Sequence, residues 1–183
     1  MNKQSKKIIG LFARYFFILL LGVGNLYVIY KIITPLTIHV LNAILSIFTK
    51  TILNGNLIHL NTISIEIVPA CVAGSAFYLL LLLIMTTANI KPETRAKAII
   101  TSLAILFALN ILRILILVPM ANISYFGVVH WIFWHLISTI FVVGIWLSVI
   151  KIYKIKAIPI YSDIEYIKNL IKTKKSKRKK KHK

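Results

Sequence analysis

The stretch CVAGSAFYLLLLLIMTTANI, residues 71–90, carries no charged side chain over a length that lets one helix cross a lipid bilayer. It is not alone in this. A chain of 183 residues with 58% hydrophobic content and a mean hydropathy of +0.84 holds more apolar surface than one water-soluble core can close over. At about 20 apolar residues per crossing, spans are read at roughly 8–30, 71–90, 98–119 and 128–150. The expected fold class is an all-α integral membrane protein with about four transmembrane helices.

A fifth apolar stretch, LTIHVLNAILSIF at 36–48, is shorter, follows Pro35 and carries Thr37, His39, Asn42 and Ser46. It reads as an interfacial helix. Within 51–70, NGN and NT interrupt the short alternating stretches LIHL and ISIEIV, the pattern of a small β-hairpin. Pro69 then suits the first turn of the helix that follows.

Charge sets the orientation. Lys and Arg total 23 against the four acids Glu66, Glu93, Asp163 and Glu165, for a net charge of +19. The cations cluster in NKQSKK at the start, in KPETRAK at 91–97 and in the tail after Lys151. Cytoplasmic loops collect Lys and Arg. Four spans place all three clusters inside, whereas a crossing at 36–48 would send the last two outside. The first apolar run is too long for a secretory h-region and no small-residue cleavage site follows it, so it reads as an uncleaved signal anchor. The expected organisation is a signal-anchor span at 1–30, an extracytoplasmic segment at 31–70, a three-span core at 71–153 and a basic cytoplasmic tail at 154–183. This describes a multi-pass plasma-membrane protein with both termini cytoplasmic. In the tail, Ile164, Ile167 and Leu170 recur at helical spacing and suit a helix along the inner leaflet. Each cation of KTKKSKRKKKHK near anionic lipid adds about 1 kcal/mol. No aromatic-interleaved basic groove or helix-turn-helix pattern accompanies this charge, which argues against nucleic acid as a partner.

Composition also narrows the chemistry. The single cysteine, Cys71, cannot form an intramolecular disulfide. Four scattered acids offer neither paired carboxylates nor a carboxylate-rich metal box, and no metal or organic cofactor is expected. Two features remain. Arg113 in LNILRILIL lies inside the third span, where an arginine costs about 2.5–3.5 kcal/mol at mid-depth. Asn110 sits one turn earlier on the same face, so that face must meet protein or water instead of lipid. In VVHWIFWHLIST, His130 and His135 enter the fourth span from the outer side. Five residues are about 140° of helix, so the two imidazoles face different partners. His130 lies at the depth expected of Cys71. Cys71, Arg113 and a histidine thus fall near the outer ends of three spans and can converge. A thiol beside a helix N-terminus and a guanidinium favours its nucleophilic thiolate. Arg113 or His130 would then stabilise an oxyanion or protonate a leaving amine, which completes the parts for acyl transfer through a thioester.

PACVAG opening a span, NILR near the outer end of the next and a His at the start of the last resemble the exosortase and archaeosortase family over about residues 65–150. VPAC is similar to the spelling of the PAC-type archaeosortases. The resemblance implies a membrane cysteine transpeptidase that cuts membrane-anchored proteins at a C-terminal sorting signal and passes the new C-terminus to a lipid or similar acceptor. It further implies Cys71 as the nucleophile that forms the acyl-thioester, Arg113 as proton donor and His130 as transition-state stabiliser. A small residue four positions after the histidine, common among relatives, points instead to His135 with Thr139. Where relatives carry an acid before the cysteine and Thr-Gly after it, this chain has Ala70 and then Val72, Ala73 and Gly74. Two other readings use the same residues: a non-catalytic transporter subunit or anchor in which Arg113 binds an anion or lipid, and a membrane cysteine protease that releases its product to water.

Overall fold

The structure, a computed structural model, describes residues 3–24, 26–61, 63–87, 90–121 and 123–155, together with 168. The expected inner-leaflet helix at 161–172 and the basic run after it lie outside the described residues, Lys168 excepted.

Helix α1, Lys3–Gly22, is followed by a turn in which Gly24 (φ 81°) and Leu26 (φ 60°) take left-handed conformations. Helix α2, Tyr27–Phe48, follows. The span expected at 8–30 is therefore two helices, because no side-chain cap or proline is needed to break a helix where two residues go left-handed. The helix expected at 36–48 is not a separate element. It continues from residue 27 through Pro35, whose missing amide costs about 3 kcal/mol in a helix interior. Beyond the proline, Ile38, Leu41 and Leu45 are buried on one face and hold the continuation in place. Helix α2 is itself long and apolar enough to cross a membrane, as are the helical stretches Pro69–Thr86, Pro92–Met120 and Phe126–Ile152, while Ile9–Gly22 is shorter.

After α2 come three short antiparallel strands, β1 (Ile52–Asn54), β2 (Leu57–His59) and β3 (Ser64–Glu66). The expected hairpin of LIHL against ISIEIV is β2 with β3, paired Ile58 to Ile65 and Leu57 to Glu66, and β1 adds a third strand. Gly55 at φ 58° occupies the first central position of the β1–β2 turn, the place where two-residue hairpins of type II′ require glycine.

The expected span at 71–90 starts at Pro69 and is broken. A single turn, α3 (Pro69–Val72), ends at Ala73, which is left-handed at φ 57°, and α4 (Gly74–Thr86) begins there. The remaining helices are α5 (Pro92–Leu117), continued by a 3-10 turn to Met120, then α6 (Phe126–Ile132), a π turn over Phe133–Ile137 and α7 (Ser138–Ile152). Pro69 and Pro92 both stand at helix starts, where a missing amide leaves no bond unmade.

Helix α1 runs antiparallel to α4. Arg14 donates to the carbonyls of Met85 and Thr87 at 3.3 Å, and the Tyr78 hydroxyl donates to Ile18 O at 3.2 Å. Further along, the Tyr30 ring lies against Gly74. Helix α1 and the first turn of α2 thus travel the length of α4 in the opposite direction in spite of the break. Two buried clusters result. One joins α4, α5 and α7 through Phe77, Leu80, Leu106, Val142 and Val149. The other joins α2 (Leu41, Leu45), the sheet (Ile58), Ile67, Val72 and α5 (Ile111, Ile114), and Cys71 packs at its edge.

Candidate active site

Cys71 is the third residue of α3, and its amide donates to Val68 O at 2.8 Å. The expected help from a long helix dipole is absent: the macrodipole builds from many aligned peptides, and α3 has four residues before Ala73 breaks it. What the break does instead is free carbonyls. Ala76 N donates to Ala73 O at 2.9 Å and so is lost to Val72 O, its partner in an unbroken helix. Left-handed alanine is held at a cost of order 1–3 kcal/mol. The compensation comes from α5.

Asn110 and Arg113, each only 3% exposed, reach across to the broken turn. Asn110 Nδ2 donates to Cys71 O at 2.9 Å. Arg113 Nη2 donates to Cys71 O at 2.8 Å and to Ala70 O at 3.0 Å. Arg113 Nη1 donates to Ser138 Oγ at 2.9 Å. The charge that composition made expensive is thus neither turned to lipid nor snorkelling. It is a buried guanidinium spent on acceptors that a broken helix leaves open, and only Nε is without a partner among the described residues.

Gly74 belongs to the same construction. A Cβ there would stand 2.6 Å from the Tyr30 ring, so the approach of α2 to the broken turn requires glycine at this place.

A cavity of about 350 Å³ opens beside the thiol, lined by Cys71, Arg113 and His130 together with Ser64, Glu66 and Phe126. The His130 ring stacks on Phe126 with centroids 5.7 Å apart, which holds the imidazole at the cavity wall. His135 stands elsewhere. It lines a second cavity of about 270 Å³ with Ser75, Trp134 and Thr139, its ring is 4.5 Å from that of Trp134, and its Nδ1 lies 3.2 Å from Trp131 O. The structure therefore brings Cys71, Arg113, Asn110 and His130 together and leaves His135 outside the group.

Two residues at the site escaped the sequence reading. Glu66, one of four scattered acids by sequence, lines the cavity from β3, where strand alternation puts it on the same face as Ser64. Its place five residues before the cysteine was the available signal. Ser138 had none, because its partnership with Arg113 depends on the π turn just before it. Among the described residues, no group of three His, Cys, Asp or Glu side chains is placed to hold a metal ion. Comparison with protein-family models, with curated proteins and with solved structures returns no match.

Proposed function

We propose that this chain is a membrane-embedded cysteine transpeptidase of the exosortase and archaeosortase type, with Cys71 as its nucleophile. One observation carries the reading: the only thiol, a buried guanidinium and an imidazole from three separate helices share one cavity. In this reading α1 and the helical stretches Pro69–Thr86, Pro92–Met120 and Phe126–Ile152 cross the plasma membrane, and α2, which starts beside Gly74 and packs on the sheet, lies along its outer side. Arg14 and Arg95 meet at the carbonyls of Met85 and Thr87, at the opposite end of α4 from Cys71. The positive-inside tendency puts that end in the cytoplasm and the thiol toward the outside.

The chemistry follows from the residue types. His130 takes the Cys71 proton, and the sulfur attacks the carbonyl carbon of a membrane-anchored protein near its C-terminal sorting signal. The C–N bond breaks, His130 returns the proton to the leaving amine, and the acyl group stays on sulfur as a thioester. A hydroxyl or amine of the acceptor, a lipid or similar molecule, then attacks the thioester and gives its proton to His130, and the C–S bond breaks. Arg113 supplies fixed positive charge to the oxyanion in both steps. The proton donor assigned to it by resemblance is better placed at His130, because a guanidinium keeps its proton at any physiological pH while imidazole exchanges one readily.

The test is to trap the intermediate in cells that carry wild-type or Cys71→Ala protein and to identify the attached peptide by mass spectrometry. A thioester-linked fragment that ends at a sorting signal, present only with Cys71, is expected. Its absence from wild-type cells that process the substrate would sink the reading. The mass of the processed C-terminus, lipid-linked or free acid, separates transfer from plain proteolysis.

A further inference from the structure

The last long helix contains a five-residue π turn, Phe133–Ile137, between α6 and α7. In an uninterrupted α-helix, residues 130 and 138 would stand about 80° apart around the axis. A π turn takes up one extra residue, so 130 and 138 are disposed as i and i+7 would be, two turns apart on one face. That face reaches Arg113 through Ser138, which itself lines the second cavity with His135. His130 lines the cavity with Cys71, and Ser138 Oγ receives Arg113 Nη1 at 2.9 Å. The Ser138 hydroxyl has a defined direction as well. Its own proton goes to Phe133 O at 3.1 Å, five residues back across the π turn, which leaves a lone pair for the guanidinium.

Arg113 is therefore held at three points. Nη2 bridges the carbonyls of Ala70 and Cys71, and Nη1 is held by Ser138. Two acceptors on one nitrogen locate an edge of the guanidinium, and a third acceptor on the other nitrogen is needed to fix its plane. We infer that Ser138 is a positioning residue whose hydroxyl, aimed by the π turn, fixes the Arg113 guanidinium against the turn that carries Cys71. This rests on the transpeptidase reading for its role in turnover, though the placement of the thiol can be read without any substrate. Without the hydroxyl, Nη1 loses its acceptor in a buried place, the guanidinium rotates toward another, and the Ala70 carbonyl is released with it while Cys71 O keeps only Asn110.

The experiment uses the full chain in native membranes, as wild type and as Ser138→Ala, Ser138→Val and Ser138→Thr, with Arg113→Lys as reference. Threonine keeps the hydroxyl, and valine has its shape without it. Alkylation of Cys71 by iodoacetamide is followed across pH, and acyl-enzyme formation is resolved into kcat and KM. Ala and Val are expected to displace the alkylation profile in the same direction as Arg113→Lys and to lower kcat about tenfold at unchanged KM. Thr is expected to stay near wild type in both. Alkylation profiles of Ala and Val that overlie wild type, or a Thr variant as altered as Val, would overturn the inference. If wild type forms no acyl-enzyme, the transpeptidase reading fails by itself and the alkylation profiles alone decide the positioning role.

Discussion

The side-chain amide of Asn110 and the carbonyl oxygen of Cys71 are joined by a 2.9 Å hydrogen bond between two helices, and Arg113 donates to the same oxygen at 2.8 Å. Each donor therefore covers for the other. Asn110→Leu should cost about 1 kcal/mol of stability, the net worth of one hydrogen bond, because Arg113 still serves the carbonyl. Asn110→Leu combined with Arg113→Ala should cost more than the sum of the single changes, with a coupling of about 0.5–3 kcal/mol in denaturant titrations of the protein in detergent.

Arg113→Ala alone leaves Ala70 O without the donor it has now and returns Cys71 O to Asn110. A loss of about 1–3 kcal/mol is expected for each buried group left unpaired. Arg113→Lys keeps the charge but presents one point in place of a planar fork, and it should recover only part of the stability and little of the acylation rate. Full acylation by the lysine variant would show that charge alone suffices.

The histidines should separate cleanly. His130→Gln, which keeps size and polarity but cannot exchange a proton, is expected to lower acyl-enzyme formation by roughly 10²–10⁴. His135→Ala should leave it within about threefold, the scale of a change away from the reacting atoms. Single-turnover labelling of Cys71 with substrate measures both, and the reverse ranking would move the site to the second cavity.

Gly74→Ala sets a methyl group against the Tyr30 ring, 2.6 Å from where its Cβ would lie. Overpacking of this kind costs about 1–3 kcal/mol. The double variant Gly74→Ala with Tyr30→Leu should recover a good part of the loss in thermal melts, since the ring is what the new methyl meets.

The sequence announced the apolar helices and the shared face of Asn110 and Arg113 that meets protein, because long uncharged runs and a buried arginine are local facts with steep energetic consequences. Span ends were less legible. The break at Ala73 falls on a residue with no preference for left-handed backbone and goes with the Tyr30 contact at Gly74, whereas the break after α1 includes Gly24, whose missing Cβ allows that backbone. Pro35 misled in the other direction: it resembles a helix stop, yet the buried face of α2 carries the helix past it. That His130 and His135 meet different partners was readable as about 140° of helix, and the two line different cavities, His130 with Cys71 and His135 with Trp134. Ser138 was hidden, since an α-helical wheel puts it on a different face from His130 and the π turn that realigns them has no signature in FWHLI.

The left-handed alanine has a bearing on engineering. A hexapeptide such as PACVAG, spliced into the top of some other helical hairpin, would close into ordinary helix, because the kink is maintained by an asparagine and an arginine lent from a neighbouring strut and by a tyrosine wedged from another. To transplant this thiol with its surroundings intact, one would have to carry three helices and their mutual spacing along with it.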